Sequence, residues 1–517
     1  MMAASTSRSG VVLADLLRGL VDDNQLLQAH NTVVSSLSLD NRSVRDGGLF
    51  IACQGFNTHG LVYAVDAVAH GAVAILWDGD CERRDEILDQ VASKVLCLRV
   101  PDLKQASGEI ASRFYGAPSQ QLNVIGITGT DGKTSIAHYI AQALDSHDVH
   151  CGVLGTLGNG FIHDLHPTGL TTADALQIQH TLADMVQAGA RHAVMEVSSH
   201  GLDQGRVNGV AFDTAVFSNL AQDHLDYHAS HADYAAAKRK LFFMPGLKAA
   251  VINLDDAFGR ELAAQCRAHL TVWGYSCDTA ADVQQLAQQA DFLVRATAIE
   301  SDREGLAIAV HTPGGVGHVR SGLLGRFNAA NLLAVLAALL VSGVEFDTAV
   351  QKLHALRPVA GRMQRVPGTA GDRAAVIVDY AHTPQALAAA CAALREHFGG
   401  RLWCVFGCGG DRDASKRALM AQAAQQHADR IVVTSDNPRH EDPQRIIDDI
   451  VAGFSQTADY HVEIDRRAAI AHALRQAGSD DVILIAGKGH ECSQIVGDVH
   501  IAFNDCRVAQ ELLEAMS

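Results

Sequence analysis

Short apolar runs recur along the chain, each stopping at a polar or glycine-rich tip and followed by an alanine-rich stretch. Gly48–Cys53, Ala72–Leu76, Leu122–Thr128, Ala193–Val197 and Thr214–Phe217 have this form in the first half. Val376–Val378, Leu402–Phe406, Ile431–Thr434 and Val482–Ala486 repeat it in the second. Apolar runs this short, alternating with helical stretches, predict an α/β fold. Helices are expected over Ile136–Leu144, before Tyr115, around Tyr234–Lys240 and over Ala329–Val341, and Asp80–Asp89 reads as a solvated helix face. The alternating pair Leu306–His311 and His318–Leu324, joined through Pro313-Gly-Gly315, predicts an antiparallel hairpin. Breaks near Pro101 and Pro358 divide the chain into sections 1–101, 102–357 and 358–517. In open parallel sheets the ligand crevice lies at the carboxyl ends of the strands, so the polar tips should gather on one edge.

Composition narrows the function classes. A chain of 517 residues suggests about three domains. Hydrophobic residues make up 48% and charged residues 19%, a globular balance. The formal charge of −17 argues against nonspecific nucleic-acid binding. The N-terminal run Met-Met-Ala-Ala-Ser-Thr-Ser-Arg lacks the apolar core of a leader, and Leu332–Val341 is too short to span a membrane. Eleven cysteines without a Cys-x-x-Cys pair read as reduced, mostly buried thiols in a cytoplasmic protein.

The most specific chemistry follows the run Leu122–Thr128. Gly129-Thr-Asp-Gly-Lys-Thr-Ser135, between a strand and a helix, predicts a nucleoside triphosphate site. Backbone N–H groups would converge on phosphate oxygens, Lys133 would add a point charge, and the Thr134 hydroxyl would reach Mg²⁺. The loop is shorter than the general pattern, which would put its first glycine at Ile127. Glu196 at a strand end and His224 in Asp223-His-Leu-Asp are candidate Mg²⁺ ligands. Lys238, in Tyr234-Ala-Ala-Ala-Lys238, reads by itself as a surface lysine. At the later strand tips, Arg412 and Arg439 could each clamp a carboxylate through paired hydrogen bonds, with Glu491 nearby in sequence pattern. Gly407-Cys-Gly-Gly-Asp-Arg412 is not a dinucleotide fingerprint, because the third glycine would fall at Arg412.

Seven motifs taken together resemble the Mur ligase family. They are Thr128-Gly-Thr-Asp-Gly-Lys-Thr134, Met195-Glu-Val-Ser-Ser-His-Gly-Leu202, Asn219-Leu-Ala-Gln-Asp-His-Leu-Asp-Tyr-His228, Gly325-Arg-Phe-Asn-Ala-Ala-Asn331, Asp379-Tyr-Ala-His-Thr-Pro384, Gly407-Cys-Gly-Gly-Asp-Arg412 and Gly487-Lys-Gly-His-Glu491. Within that family the pattern is similar to the MurE type, which adds meso-2,6-diaminopimelate to UDP-N-acetylmuramoyl-L-alanyl-D-glutamate. The resemblance implies three α/β domains: an N-terminal UDP-binding domain, a central P-loop ATPase domain with a mostly parallel sheet, and a C-terminal Rossmann-like domain. It implies that ATP is held by Gly129, Thr130, Asp131, Gly132, Lys133, Thr134, Ser135, Asn331, Asp379 and His382. Thr134, Glu196 and His224 would ligate Mg²⁺, joined by Lys238 once CO₂ has converted it to a carbamate. Lys133, Lys238, His224 and Glu196 would then be the catalytic set.

The same resemblance places the nucleotide precursor on Leu39, Asn41, Arg42, Thr171, Thr172, Ser198, Gln204 and Arg206. Diaminopimelate would sit on Arg412, Asp436, Asn437, Pro438, Arg439, Gly487 and Glu491, with Arg439 choosing it over lysine. The implied reaction is amide synthesis through an acyl phosphate, by a monomer in the cytoplasm, with small-molecule substrates and neither nucleic acid nor membrane as partner. Rival readings are a lysine-adding relative, a folylpolyglutamate synthase and, from another class, an ATP-binding regulatory protein. Three positions depart from the family pattern: Asp131 replaces asparagine, Asn41 replaces serine, and Phe56-Asn-Thr58 replaces a histidine-containing run.

Overall fold

The computed structural model describes residues 10–516 apart from 56–57, 222, 225–226 and 369–372. Phe56 and Asn57, the N-terminal run through Ser9, and Leu225 and Asp226 of the Asp-His-Leu-Asp motif therefore lie outside the described residues. The chain divides into two compact units, Met1–Ile252 with Asp256–Val272, and Asn253–Asp255 with Trp273–Ser517.

The first unit holds two main sheets. Ser36–Ser38, Gly48–Ala52, Ala72–Trp77 and Leu96–Arg99 pair in that order, all parallel. Alternation divides the second of these strands between two cores. Leu49 and Ile51 pack with Leu13, Leu16 and Leu76, while Phe50 and Ala52 pack with Leu61 and Ala64. Burial on both faces is what makes such a strand read as an unbroken apolar run. The larger sheet runs His150–Gly155, Ala190–Glu196, Asn123–Thr128, Thr214–Phe217 and Ala249–Asn253, all parallel. Gly158–Phe161 and Asp164–His166 extend it antiparallel. Its register sets Glu196 beside Ile127 and Phe217 beside Thr128, so three polar tips emerge on one edge.

In the second unit, Phe292–Asp302, Gly305–Thr312 and Gly315–Ser321 form an antiparallel meander. The expected hairpin is thus present, but its second strand stops at Ser321. Phe292–Asp302, unforeseen, buries only two of its eleven residues and mixes apolar with polar positions after Val294, so it offers no sustained apolar run. Beyond it, Gln364–Arg365, Ala375–Asp379, Val482–Ala486, Leu402–Phe406, Arg430–Val433 and Tyr460–Val462 pair in that order. All neighbours are parallel except the first pair. Ile377, Cys404 and Leu484 bury against helices on one face, and Val376, Val405 and Ile483 on the other. This is a doubly wound layer with its ligand edge at the carboxyl ends. No helix among the described residues is long and apolar enough to cross a membrane. All eleven cysteines are free, but only Cys151, Cys266, Cys391, Cys404 and Cys408 are buried, fewer than the composition suggested.

Candidate active site

The phosphate loop is built by backbone geometry that only glycine adopts cheaply. Gly129 has φ +150°, and a Cβ there would collide with Ser218 Oγ. Gly132 begins the helix Lys133–Leu144 and offers no side-chain cap, so the first-turn amides are left for another acceptor. Ser218 and Asn219, at the tip of the neighbouring strand, brace the loop. Ser218 Oγ donates to Asp131 O at 2.5 Å, Asp131 N to Asn219 Oδ1 at 2.9 Å, and Thr130 N to Asn219 O at 2.9 Å. Lys133 Nζ folds back onto Gly129 O and Thr130 O at 2.9 and 2.7 Å.

Glu196 is fully buried at the end of its strand. Thr134 Oγ1 and Thr156 Oγ1 donate to its Oε2 at 2.8 and 3.1 Å, and Thr156 N donates to Oε1 at 2.8 Å. Thr134 and Glu196 thus bring two hard oxygen donors together beside the loop, which suits Mg²⁺. No cluster of three or more His, Cys, Asp or Glu that could hold a metal occurs among the described residues. The donor set therefore fits an ion that arrives with phosphates and keeps its waters, the usual habit of Mg²⁺. His224 is exposed in the left-handed region at φ +53°, its ring 3.4 Å from Asp223 and edge-on to His200.

Lys238 overturns the surface reading, since only 1% of it is exposed. Ser230 caps its helix, His231–Arg239, and the side chain runs under the phosphate loop. Its Nζ donates to Gly129 O at 2.6 Å and lies 4.2 Å from the Tyr234 ring centre, while Tyr234 Oη meets Thr130 Oγ1 at 3.1 Å. Burial, followed by the nearby Lys133 ammonium, drives its pKa down to about 6.

A connected polar cluster adjoins Glu196. Thr171 Oγ1 meets Thr156 Oγ1 at 3.1 Å, and Thr172 Oγ1 donates to Glu196 O at 2.9 Å. Ser198 N donates to Thr172 Oγ1, and Arg206 spans Gln204 Oε1 at 2.7 Å and Thr172 O at 2.7 Å. Five residues expected to hold the precursor are thereby joined. The other three lie just after the strand Ser36–Ser38, Asn41 and Arg42 in the 3-10 turn Asn41–Ser43: Leu39 and Arg42 are exposed, Asn41 is half-buried, and Arg42 pairs with Asp40 at 2.7 Å.

In the second unit, Asn331 is buried with its amide on Asn328 Oδ1 at 2.9 Å. Asp379 accepts from Met363 N and Ala381 N at 2.7 and 2.9 Å, and desolvation pushes its carboxyl up. His382 Nδ1 lies 2.9 Å from Tyr380 O. At the next tips, Asp436 and Asn437 are buried while Arg412 is exposed. Gly487 has φ +113°, and a Cβ there would lie 2.7 Å from Asp436 Oδ2. Arg439, at φ +51°, donates from Nη1 to Gly410 O at 2.8 Å. Glu441 N closes a turn onto Pro438 O at 3.1 Å, and Glu491 Oε2 accepts from Asn437 Nδ2 at 2.7 Å.

Sequence reasoning missed the braces. Asn219 and Lys488 stand inside quoted motifs, Ser218 beside one and Thr156 at a strand end away from all of them, but polarity at a strand tip was the only signal they gave. Buried Arg417, which binds Glu441 and Asp449 at 2.8 Å each, sits on a helix with no motif at all.

Three family models match in order: "Mur ligase family, catalytic domain" over residues 33–115, "Mur ligase middle domain" over 127–339, and "Mur ligase, glutamate ligase domain" over 361–489. The UDP-N-acetylmuramoyl-L-alanyl-D-glutamate–2,6-diaminopimelate ligase of Alkalilimnicola ehrlichii is 49% identical over 483 residues, 93% of this chain and 95% of the relative. That of Chromobacterium violaceum is 48% identical over 495 residues, 95% of this chain and 97% of the relative. A solved structure of a ligase with the same name matches with a TM-score of 0.71 at 36% identity, covering 98% of this chain and 99% of the other.

Proposed function

We propose, on the premise that this chain belongs to the Mur ligase family, that it adds meso-2,6-diaminopimelate to UDP-N-acetylmuramoyl-L-alanyl-D-glutamate at the expense of ATP. The product is a peptidoglycan precursor. The observation that carries this reading is the 49% identity, nearly end to end, with a relative of that name.

The D-glutamate carboxylate attacks the γ-phosphorus of ATP while the bond to the bridging oxygen of ADP breaks. The free amine of diaminopimelate then attacks the acyl phosphate carbonyl, phosphate departs with its electron pair, and the new amide nitrogen loses a proton. The uncapped helix start and Lys133 hold the triphosphate, so positioning and charge neutralisation carry the first step. Thr134, Glu196, His224 and the carbamate of Lys238 would hold Mg²⁺, which when bound neutralises charge on the phosphoryl oxygens. Thr171, Thr172, Ser198, Gln204 and Arg206 orient the dipeptide end, with Leu39, Asn41 and Arg42 on the uridine. Asn331, Asp379 and His382 complete the nucleotide contacts. The reaction runs in the cytoplasm, in a monomer.

Lys238 supports its own modification. With its pKa near 6, the buried amine carries a lone pair at neutral pH. Attack of the neutral amine on CO₂ forms the C–N bond, one proton passes to solvent, and an anionic oxygen ligand replaces the uncharged nitrogen.

Arg412 and Arg439 supply guanidinium groups for the two carboxylates of diaminopimelate, and Asp436 and Glu491 receive its ammonium groups. ADP release measured with each of a panel of amino acids tests the reading. Diaminopimelate should stimulate ADP release far above lysine, and Arg439→Ala should erase roughly 10- to 100-fold of that preference, the worth of a charged hydrogen-bond pair. Preference for lysine, or ADP release indifferent to any amine, would contradict it.

A further inference from the structure

Lys488 is the most deeply buried charge in the second unit's ligand edge, with no exposed surface. Its ammonium has three protons and spends each on a different acceptor: Asn437 Oδ1 at 2.8 Å, Glu491 Oε2 at 2.7 Å and Ser493 O at 2.8 Å. Those acceptors lie on two stretches of chain: Glu491 and Ser493 follow Lys488 closely, while Asn437 lies 51 positions away. Asn437 stands two residues before Arg439, Glu491 closes the glycine-lysine-glycine turn, and Ser493 starts the hairpin Ser493–Val496 with Val499–Ala502.

The two stretches are interlocked beyond Lys488. Asn437 Oδ1 also accepts from Ile495 N at 3.0 Å, Arg439 N donates to Ile495 O at 3.0 Å, and Gly497 N donates to Arg439 O at 2.7 Å. Arg439 needs such support, because its φ of +51° is costly for a residue with a side chain. Glu491 Oε2 is already taken by two donors, Lys488 and Asn437. Its Oε1 takes part in neither bond and stays available to an incoming cation.

A nearby buried cation shows what a purely architectural one does. Arg466 is fully buried on both Asp505 oxygens at 2.7 Å, and two further protons go to Ser435 O and Ala486 O at 3.3 and 3.0 Å. It ties two strand ends to a helix, and while it feels the charges of Asp436 and Glu491, its hydrogen bonds go to Asp505 and to backbone carbonyls. Lys488, by contrast, spends two of its three bonds on side chains of the amino-acid pocket.

We propose that Lys488 is a positioning residue for amino-acid selection: it fixes Glu491 and Asn437 together, so that one Glu491 oxygen meets the substrate ammonium while Arg439 is held for the distal carboxylate. The inference rests on the diaminopimelate reading of this site.

Steady-state kinetics on the full chain test it, with diaminopimelate, ATP and the nucleotide precursor varied in turn for Lys488→Met, Lys488→Gln, Glu491→Gln and the Met/Gln double variant. KM for diaminopimelate should rise at least about tenfold in each Lys488 variant, with KM for ATP within about twofold of wild type. The double variant should be no worse than the more severe single one, because both changes disable one carboxylate. Arg466→Met should lower the melting temperature without this KM split. An unchanged KM for diaminopimelate, additive single effects, a parallel rise in all three KM values, or failure of both Lys488 variants to fold would overturn the proposal. If the wild type itself ignores diaminopimelate, the functional reading falls instead, and the same four variants are assayed with the amino acid it does use.

Discussion

Lys238 in the first unit and Lys488 in the second are both withdrawn from water, yet their surroundings treat the positive charge in opposite ways. Around Lys238 the structure supplies a carbonyl oxygen and an aromatic face, and burial, followed by a second lysine, outweighs the pull of the Asp223 and Asp131 carboxylates, neither of which it bonds directly. Around Lys488 it supplies a carboxylate, an amide oxygen and a carbonyl, one for each proton. A buried ammonium without a counter-ion tends to give up its proton, whereas one that is paired and fully hydrogen-bonded persists as a fixed cation. The difference teaches that burial alone does not assign a lysine its role. The first environment favours an uncharged amine, as the proposed carbamate requires, and the second a hydrogen-bonded ammonium, as the proposed positioning role requires.

The sharpest way to break this comparison is to remove the amine. Lys238→Ala should cut turnover by a factor on the order of a thousand, as expected when a group stabilising developing phosphoryl charge is lost. Added short carboxylates should restore part of it; full activity in the variant would end the carbamate account. A second approach follows the proton. An ordinary lysine titrates near 10.5 and Lys238 near 6, so between those values the unfolded chain binds a proton that the fold does not. Stability contributed by this site therefore climbs as pH rises through that window, and below about 6 the cost of the buried ammonium is carried in full. Denaturant midpoints taken across that range should rise less steeply for Lys238→Met than for wild type. The smallest effect concerns Asp131, exposed within the phosphate loop where the family pattern has asparagine. Asp131→Asn should lower KM for ATP by no more than about fivefold, the range of a solvent-screened charge. A larger change would place Asp131 in the metal site.

The parts of this molecule that were legible in the sequence are those where one-dimensional order carries the physics. Strands buried on both faces announce themselves as apolar runs, and the residue that ends each run is already at the ligand edge, as with Thr128, Glu196 and Phe217. The phosphate loop was legible because glycine at 129 answers a backbone demand that no other residue meets. Lys238 was not, since its helix is mostly alanine and polar residues and the loop that covers it lies more than a hundred positions away. Lys488 stood inside a recognised motif and still read as an ordinary lysine, because Asn437, the acceptor that ties it to the Arg439 turn, lies 51 positions away. Phe292–Asp302 escaped for the opposite reason: its long strand faces water along most of its length.

Trapping the activated carboxylate tests the account most directly. The chain is incubated with ATP, Mg²⁺ and UDP-N-acetylmuramoyl-L-alanyl-D-glutamate, and hydroxylamine replaces the amino acid. A hydroxamate on the glutamate side chain, formed in step with ADP, is the predicted result. ADP released with the precursor left unmodified would contradict it.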